Sequence, residues 1–118
     1  MAEHNELGKL GEALAAKYLT EKGHEILHQN WRFSFYEIDL ISLKDGTVHI
    51  VEVKSRSSKH FGLPEASVSK KKYRDLMKAT DVFLSQHLQY RYVQLDILSI
   101  NMLDTNEVEY FFIEDVFY

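Results

Sequence analysis

The chain has 118 residues, of which 45% are hydrophobic and 27% are charged, and these values are typical of a single globular domain covering residues 1–118. It has no cysteine, which excludes disulfides, zinc–thiolate sites, iron–sulfur clusters and cysteine nucleophiles. The N-terminus carries Glu3 and Glu6, and no apolar run approaches the ~18 residues of a membrane span, so we expect a cytoplasmic protein without membrane contact.

The predicted elements follow the order α-β-β-β-α-β-β. Apolar residues at three- and four-residue spacing predict helices over 5–22 and 69–87, and β-branched and aromatic runs predict strands over 26–33, 36–43, 47–54, 90–102 and 108–113. A turn at 44–46 joins the second and third strands as an antiparallel pair, and residues 55–64 are predicted to form a loop. This order predicts an α/β fold with helices packed on a mixed sheet.

The charges are unevenly distributed along the chain. The net charge is −4, which by itself argues weakly against nucleic-acid binding. Residues 54–78, however, hold eight Lys/Arg and two Asp/Glu, which gives a local charge of +6 within an acidic protein. A local basic patch of this kind can bind a polyanion although the whole protein is negative.

Charged residues lie in the middle of two predicted strands, where burial costs an ion about a few kcal/mol unless something compensates it. The period of two places Glu52 and Lys54 on one face of the third strand. Pairing about the 44–46 turn places Asp39 of the second strand roughly opposite Glu52. Two opposed carboxylates repel each other unless a cation lies between them.

This arrangement suits a divalent metal ion and phosphodiester hydrolysis. Asp39 and Glu52 are suitable ligands for Mg²⁺, and the carbonyl of Val53 adds a third oxygen. Lys54 would orient an attacking water and stabilise the charge that develops on a phosphodiester. The structural alternative is a cross-strand salt bridge of Lys54 with Asp39 or Glu52 on a solvent-facing sheet, and the spacing D-x(12)-E-x-K alone does not decide between the two.

Motifs along most of the chain resemble those of one protein family. They are Gly8-x-x-Gly11-Glu12-x-x-Ala15, Tyr18-Leu19-x-x-x-Gly23, Asn30-Trp31-Arg32, Glu37-Ile38-Asp39-Leu40-Ile41, Val51-Glu52-Val53-Lys54-x-Arg56, Phe61-Gly62-x-Pro64, Val68 with Lys72, and Asp96. Together they resemble the YraN family of small bacterial proteins, which are similar to Holliday-junction-resolvase-like endonucleases of the PD-(D/E)-x-K class. The resemblance implies a restriction-endonuclease-like core, Asp39, Glu52 and Lys54 as a catalytic triad, Glu12 as a further acidic site residue, and Lys72 as a family basic position.

Basic side chains beside the third strand and the second helix are candidate phosphate contacts, although a lysine run on a helix is also typical of a solvated face. These candidates are Arg32, Arg56, Lys59, Lys70, Lys71, Lys72 and Arg74. Phe33, Phe35 and Tyr36, beside Arg32, are interpreted as packing residues, with stacking on unpaired bases as the alternative. The six histidines form no metal motif, and we interpret them as structural or exposed.

The sequence thus predicts a metal-dependent endonuclease with one or two Mg²⁺ or Mn²⁺ ions. DNA is the expected substrate, with branched or structured DNA favoured by the resemblance, and a homodimer is a possible assembly. One alternative is a non-catalytic nucleic-acid-binding module with the same fold. Another is a protein-interaction domain whose acidic C-terminal third binds a basic partner; its acidic residues are Asp104, Glu107, Glu109, Glu114 and Asp115.

Overall fold

The computed structural model of the protein describes residues 6–57 and 68–117. In chain order, its elements are α1 (Glu6–Glu21), β1 (Glu25–Phe33), β2 (Tyr36–Lys44), β3 (Thr47–Ser57), α2 (Lys70–Ser85), β4 (Tyr92–Met102) and β5 (Val108–Ile113). The predicted order and the α/β class, with helices on a mixed sheet, are both confirmed.

The five strands form one sheet in the order β1-β2-β3-β4-β5. Neighbouring strands are antiparallel except for β3 and β4, which run parallel from Thr47↔Tyr92 to Ser57↔Met102. The β2–β3 ladder runs from Lys44↔Thr47 to Leu40↔Val51, as the turn at 44–46 predicts. Because β3 and β4 are parallel, the chain between them must return to the end of the sheet where β3 begins. The described part of this connection contains α2.

The predicted loop over 55–64 is wrong at its start. Residues 55–57 continue β3 because they pair with residues 100–102 of the equally long strand β4. A parallel partner supplies hydrogen bonds to residues whose own sequence has little strand character, so tertiary pairing overrides local propensity here. Residues 58–64 of the predicted loop lie outside the described residues.

Helix α1 covers one face of the sheet. Its buried residues are Gly11, Ala15 and Leu19, which are four apart and therefore form one stripe. At Gly11 the helix lies so close to β3 that a Cβ atom there would be 1.6 Å from Ser55 Oγ and 2.8 Å from Ser55 Cβ. Glycine is therefore required where α1 crosses β3, and this crossing fixes the position of the next residue, Glu12.

Helix α2 covers the opposite face. Ser69 caps its N-terminus by accepting a hydrogen bond from the backbone N–H of Lys72 at 3.1 Å. The helix packs through Leu76, Ala79 and Phe83 against a cluster that includes Ile38 and Ile50 of the sheet. Neither described helix is long and apolar enough to cross a membrane.

Candidate functional site

Two acidic residues face each other where the β2–β3 ladder ends. The last paired residues are Leu40 and Val51, so Asp39 and Glu52 are the next residues on the two strands. Asp39 Oδ2 accepts a hydrogen bond from the backbone N–H of Val53 at 2.9 Å. Asp39 and Glu52 are therefore neighbours on adjacent strands, as the sequence predicts.

The alternation of side chains along β2 breaks at Asp39. Ile38 packs with the α2-side cluster and Leu40 with the α1-side cluster, although residues two apart on a regular strand share one face. Because of this break, the Asp39 carboxylate reaches the Val53 N–H of β3 and takes the place of a backbone acceptor. The irregularity thus directs an acidic side chain to the position where the β2–β3 ladder ends.

Glu52 is only 4% exposed, yet it carries a carboxylate. Its Oε2 lies 3.5 Å from Lys54 Nζ and 3.7 Å from Lys72 Nζ. Its Oε1 is buried and has no hydrogen-bond partner among the described residues. An unpaired buried carboxylate oxygen is costly, so this atom is available for a further ligand.

The Asp39 carboxyl group is difficult to ionise in this environment. Burial and the neighbouring Glu52 charge raise its pKa from 3.8 to about 7, with a smaller contribution from Glu12. The Val53 N–H and the Lys72 ammonium group oppose this rise in pKa. A divalent cation next to Asp39 and Glu52 would remove the main electrostatic cause of the raised pKa.

Glu12 of α1 lies at the edge of this pair. It follows Gly11, whose close contact with Ser55 of β3 sets the position of the helix. Glu12 Oε1 accepts a hydrogen bond from Asn30 Nδ2 of β1 at 3.4 Å, and its charge is near enough to affect the pKa of Asp39. The structure therefore brings Glu12, Asp39, Glu52 and Lys54 together where the β2–β3 ladder ends.

The donor set fits a hard divalent ion. It combines the Asp39 carboxylate with the unpartnered Glu52 Oε1, and such ions prefer carboxylate oxygens. Val53 also faces this position, because the N–H and C=O of one strand residue point towards the same neighbouring strand and its N–H points to Asp39. These are the three residues expected from the sequence to hold a metal ion.

The basic residues that the sequence predicts to contact phosphates differ in their partners and exposure. Lys72, in the first turn of α2, contacts Glu52, whereas Lys71 forms an ion pair with Asp75 at 2.9 Å. Lys70 and Arg74 are exposed on the same helix. On β1, Arg32 forms an ion pair with Glu37 at 3.4 Å, and Arg56 lies near the end of β3. Lys59 lies outside the described residues.

A second polar cluster, which sequence patterns did not predict, lies across the β3–β4 pair. His49 Nδ1 and Asp96 Oδ2 are 2.5 Å apart and buried, and Asp96 Oδ1 accepts hydrogen bonds from Gln94 Nε2 and the backbone N–H of Asp115. With Glu114 these groups lie close enough to hold a metal ion, but the Asp96 oxygens are already fully partnered. We therefore interpret the cluster as structural. The only sequence signal was a charged residue, Asp96, at the centre of an apolar strand.

Known bacterial proteins are similar to this chain over most of its length. A family model described as Uncharacterised protein family UPF0102 matches residues 11–100, which include α1 from Gly11 onward, the β2–β3 hairpin and α2. A UPF0102 protein of Flavobacterium psychrophilum is 40% identical over 118 residues, covering 100% of this chain and 98% of that protein. One from Bacteroides thetaiotaomicron is 41% identical over 100 residues, covering 85% and 83% of the two chains. The chain therefore belongs to UPF0102, the YraN family.

Proposed function

We propose that the protein is a metal-dependent endonuclease that hydrolyses phosphodiester bonds in DNA, with branched or structured DNA as the favoured substrate. The observation that carries this proposal is a pair of adjacent carboxylates, the half-buried Asp39 and the buried Glu52, in which Glu52 Oε1 has no partner among the described residues. Two like charges shielded from water destabilise the protein, so their presence favours a site whose function is to bind a cation.

In this proposal, Asp39, Glu52 and the Val53 carbonyl hold one Mg²⁺ or Mn²⁺ ion, and Glu12 contacts the ion directly or through water. A bound ion of this kind supplies Lewis-acid activation of water and neutralises phosphate charge. A second ion would need further oxygen ligands from water or from the DNA phosphate. The sequence resemblance and the chemistry of the donors both support these roles.

Lys54 acts on the substrate in this scheme. Its ammonium group lies 3.5 Å from Glu52 Oε2, so it is held beside the proposed metal ligands. From there it orients the attacking water and stabilises the negative charge that develops on the phosphate oxygens in the transition state. It differs from the exposed lysines of α2, whose expected role is to contact phosphates along the DNA backbone.

A non-catalytic DNA-binding module is the second candidate, and one observation favours it. Lys54 and Lys72 already place two ammonium groups within 4 Å of Glu52 Oε2, which partly neutralises the site without a metal ion. In that case the carboxylates would order the lysines, and the basic first turn of α2 would bind phosphates.

Cleavage assays on purified protein test the proposal. The substrates are linear and four-way-junction DNA with Mg²⁺ or Mn²⁺, and the variants are Lys54→Ala and Asp39→Ala. We expect Lys54→Ala to keep metal and DNA binding but to cleave about 10²–10³ times more slowly, because it loses a group needed in the transition state. Asp39→Ala should lose Mn²⁺ binding in calorimetry. Lys17→Ala, an exposed lysine on α1, is the matched control and should cleave normally.

DNA binding is measured separately from cleavage. Changing Lys70, Lys71 and Arg74 to Glu should weaken binding and reduce its dependence on salt, because each lost phosphate contact lowers the slope by about 0.9. If the wild type binds DNA but cleaves none of the substrates with either metal, the binding module replaces the endonuclease. If the wild type binds neither linear nor junction DNA at low salt, both DNA-related functions are rejected.

A further inference from the structure

The turn between β1 and β2 presents an aromatic ring to solvent. Ser34 and Phe35 form this two-residue turn, and the flanking residues Phe33 and Tyr36 pair with each other. Phe35 is 97% exposed, the highest value among the large hydrophobic residues that the structure describes. Ser34 has φ 57°, a left-handed conformation that favours glycine. The turn therefore has a strained backbone at Ser34 and an almost fully exposed phenylalanine at its tip.

This ring lies beside the candidate active site. Phe35, Tyr36 and Glu37 line one shallow pocket together with Lys72, Asp75 and Leu76 of α2. Lys72 also contacts the buried carboxylate of Glu52, so one side chain connects the tip of the hairpin to the proposed metal ligands. Arg32, on the same hairpin, keeps 64% of its side chain exposed. The ring therefore shares its pocket with the Lys72 ammonium group, and the two carboxylates of that pocket, Glu37 and Asp75, are paired with Arg32 and Lys71.

The chemistry of these neighbours indicates what the ring contacts. Single exposed apolar residues are ordinary on protein surfaces, but an exposed ring that shares a pocket with the Lys72 ammonium group suits a ligand with both aromatic faces and negative charge. A nucleic acid offers both, although paired bases in a duplex already stack on one another and present only their edges in the grooves. The faces of bases become accessible where bases are unpaired, as in bulges, flaps and junctions.

We propose that Phe35 stacks on an unpaired nucleobase and thereby directs the site to DNA with unpaired bases beside the scissile phosphate. The inference rests on the proposed DNA function and specifies how this site would select its substrate. The cations at Lys72 and Arg32 bind the adjoining phosphates, and Phe35 reads the unpaired base without discriminating among base types, since every base has an aromatic face.

The test compares two DNA duplexes that differ in one nucleotide. One contains a single unpaired 2-aminopurine as a bulge, and the other pairs the same residue with thymine. Affinity is measured by fluorescence anisotropy in EDTA, which prevents cleavage, and 2-aminopurine emission reports stacking directly. We expect the wild type to bind the bulged duplex more tightly and to quench its emission. Phe35→Ala should lose about 5- to 150-fold in affinity for the bulged duplex and should abolish the quenching.

Two variants serve as controls. Phe35→Trp keeps an aromatic face and should restore both affinity and quenching. Phe117→Ala removes another strongly exposed phenylalanine, 74% accessible, which lines a pocket with Tyr73 and Met77 on a different side of α2. It should bind and quench as the wild type does. Because Phe35 is exposed, its substitution should leave the circular dichroism spectrum and melting temperature unchanged.

The possible failures are distinguishable. If Phe35→Ala weakens binding to both duplexes equally, or leaves quenching intact, the stacking proposal is rejected while the DNA function stands. If the wild type binds neither duplex nor junction DNA, the proposed function itself fails. If light scattering shows a wild-type dimer that Phe35→Ala converts to a monomer, the ring is a contact between two copies of the chain, and the stacking proposal is also rejected.

Discussion

Asp39→Asn should stabilise the metal-free protein at pH 8, although it alters a proposed metal ligand. The amide is uncharged, and its oxygen can still accept the hydrogen bond from the Val53 N–H. It therefore removes the buried charge while keeping the contact that holds residue 39 in place. The gain arises because burial and the neighbouring Glu52 charge disfavour the ionisation of Asp39 in β2.

The expected size of this effect follows from the pKa. A rise of the Asp39 pKa from 3.8 to about 7 corresponds to about 4 kcal/mol of unfolding free energy. Because the folded pKa is raised, the folded protein retains this proton at pH values where the unfolded chain has lost it. The stability of the wild type should therefore fall as the pH rises from about 4 to about 7 and then level off. The Asn variant should lack this fall.

Urea denaturation in EDTA at pH 4.5 and pH 8 measures the difference. Wild type and Asp39→Asn should differ little at pH 4.5, and the variant should be more stable at pH 8. Asp81→Asn, on the exposed side of α2, is the matched control and should show no such pH-dependent gain. Mg²⁺ should stabilise the wild type at pH 8 and affect Asp39→Asn less. Equal stability of wild type and Asp39→Asn at both pH values would refute the electrostatic argument.

Two further substitutions test the packing that positions the site. Gly11→Ala should destabilise the protein in urea denaturation and slow the proposed DNA cleavage, because the new Cβ would lie 2.8 Å from Ser55 Cβ and displace α1 with Glu12. The double variant with Ser55→Gly should recover part of the loss. His49→Ala should cost about 3–5 kcal/mol in the same assay by leaving the buried Asp96 carboxylate without its closest partner, and a loss below about 1 kcal/mol would contradict the structural interpretation of that cluster.

Local sequence signals were sufficient for part of the fold and of the site. The Asp45-Gly46 turn, with both residues at positive φ, fixes the β2–β3 register, and that register alone predicts Asp39 beside Glu52. The two helices were also predictable from the sequence, since their buried residues recur at helical spacing.

Features that depend on distant pairing were not predictable in this way. His49 and Asp96 meet across the parallel β3–β4 pair, and no turn sets the register of two strands that are joined by a helix. The break in alternation at Asp39 also depends on which helix covers each face of β2. Likewise, the need for glycine at position 11 arises only from the crossing of α1 over Ser55.

The topology of the sheet also implies an order of events during folding. The β2–β3 hairpin joins neighbouring segments through a two-residue turn, whereas β4 must return across 45 positions to pair Tyr92 with Thr47. Hairpins form within about 1–10 μs, and pairings distant in sequence form more slowly because they close larger loops. Asp39 and Glu52 therefore become neighbours while water still screens their charges. Their repulsion becomes costly only later, when β4 and α2 complete the surrounding layers.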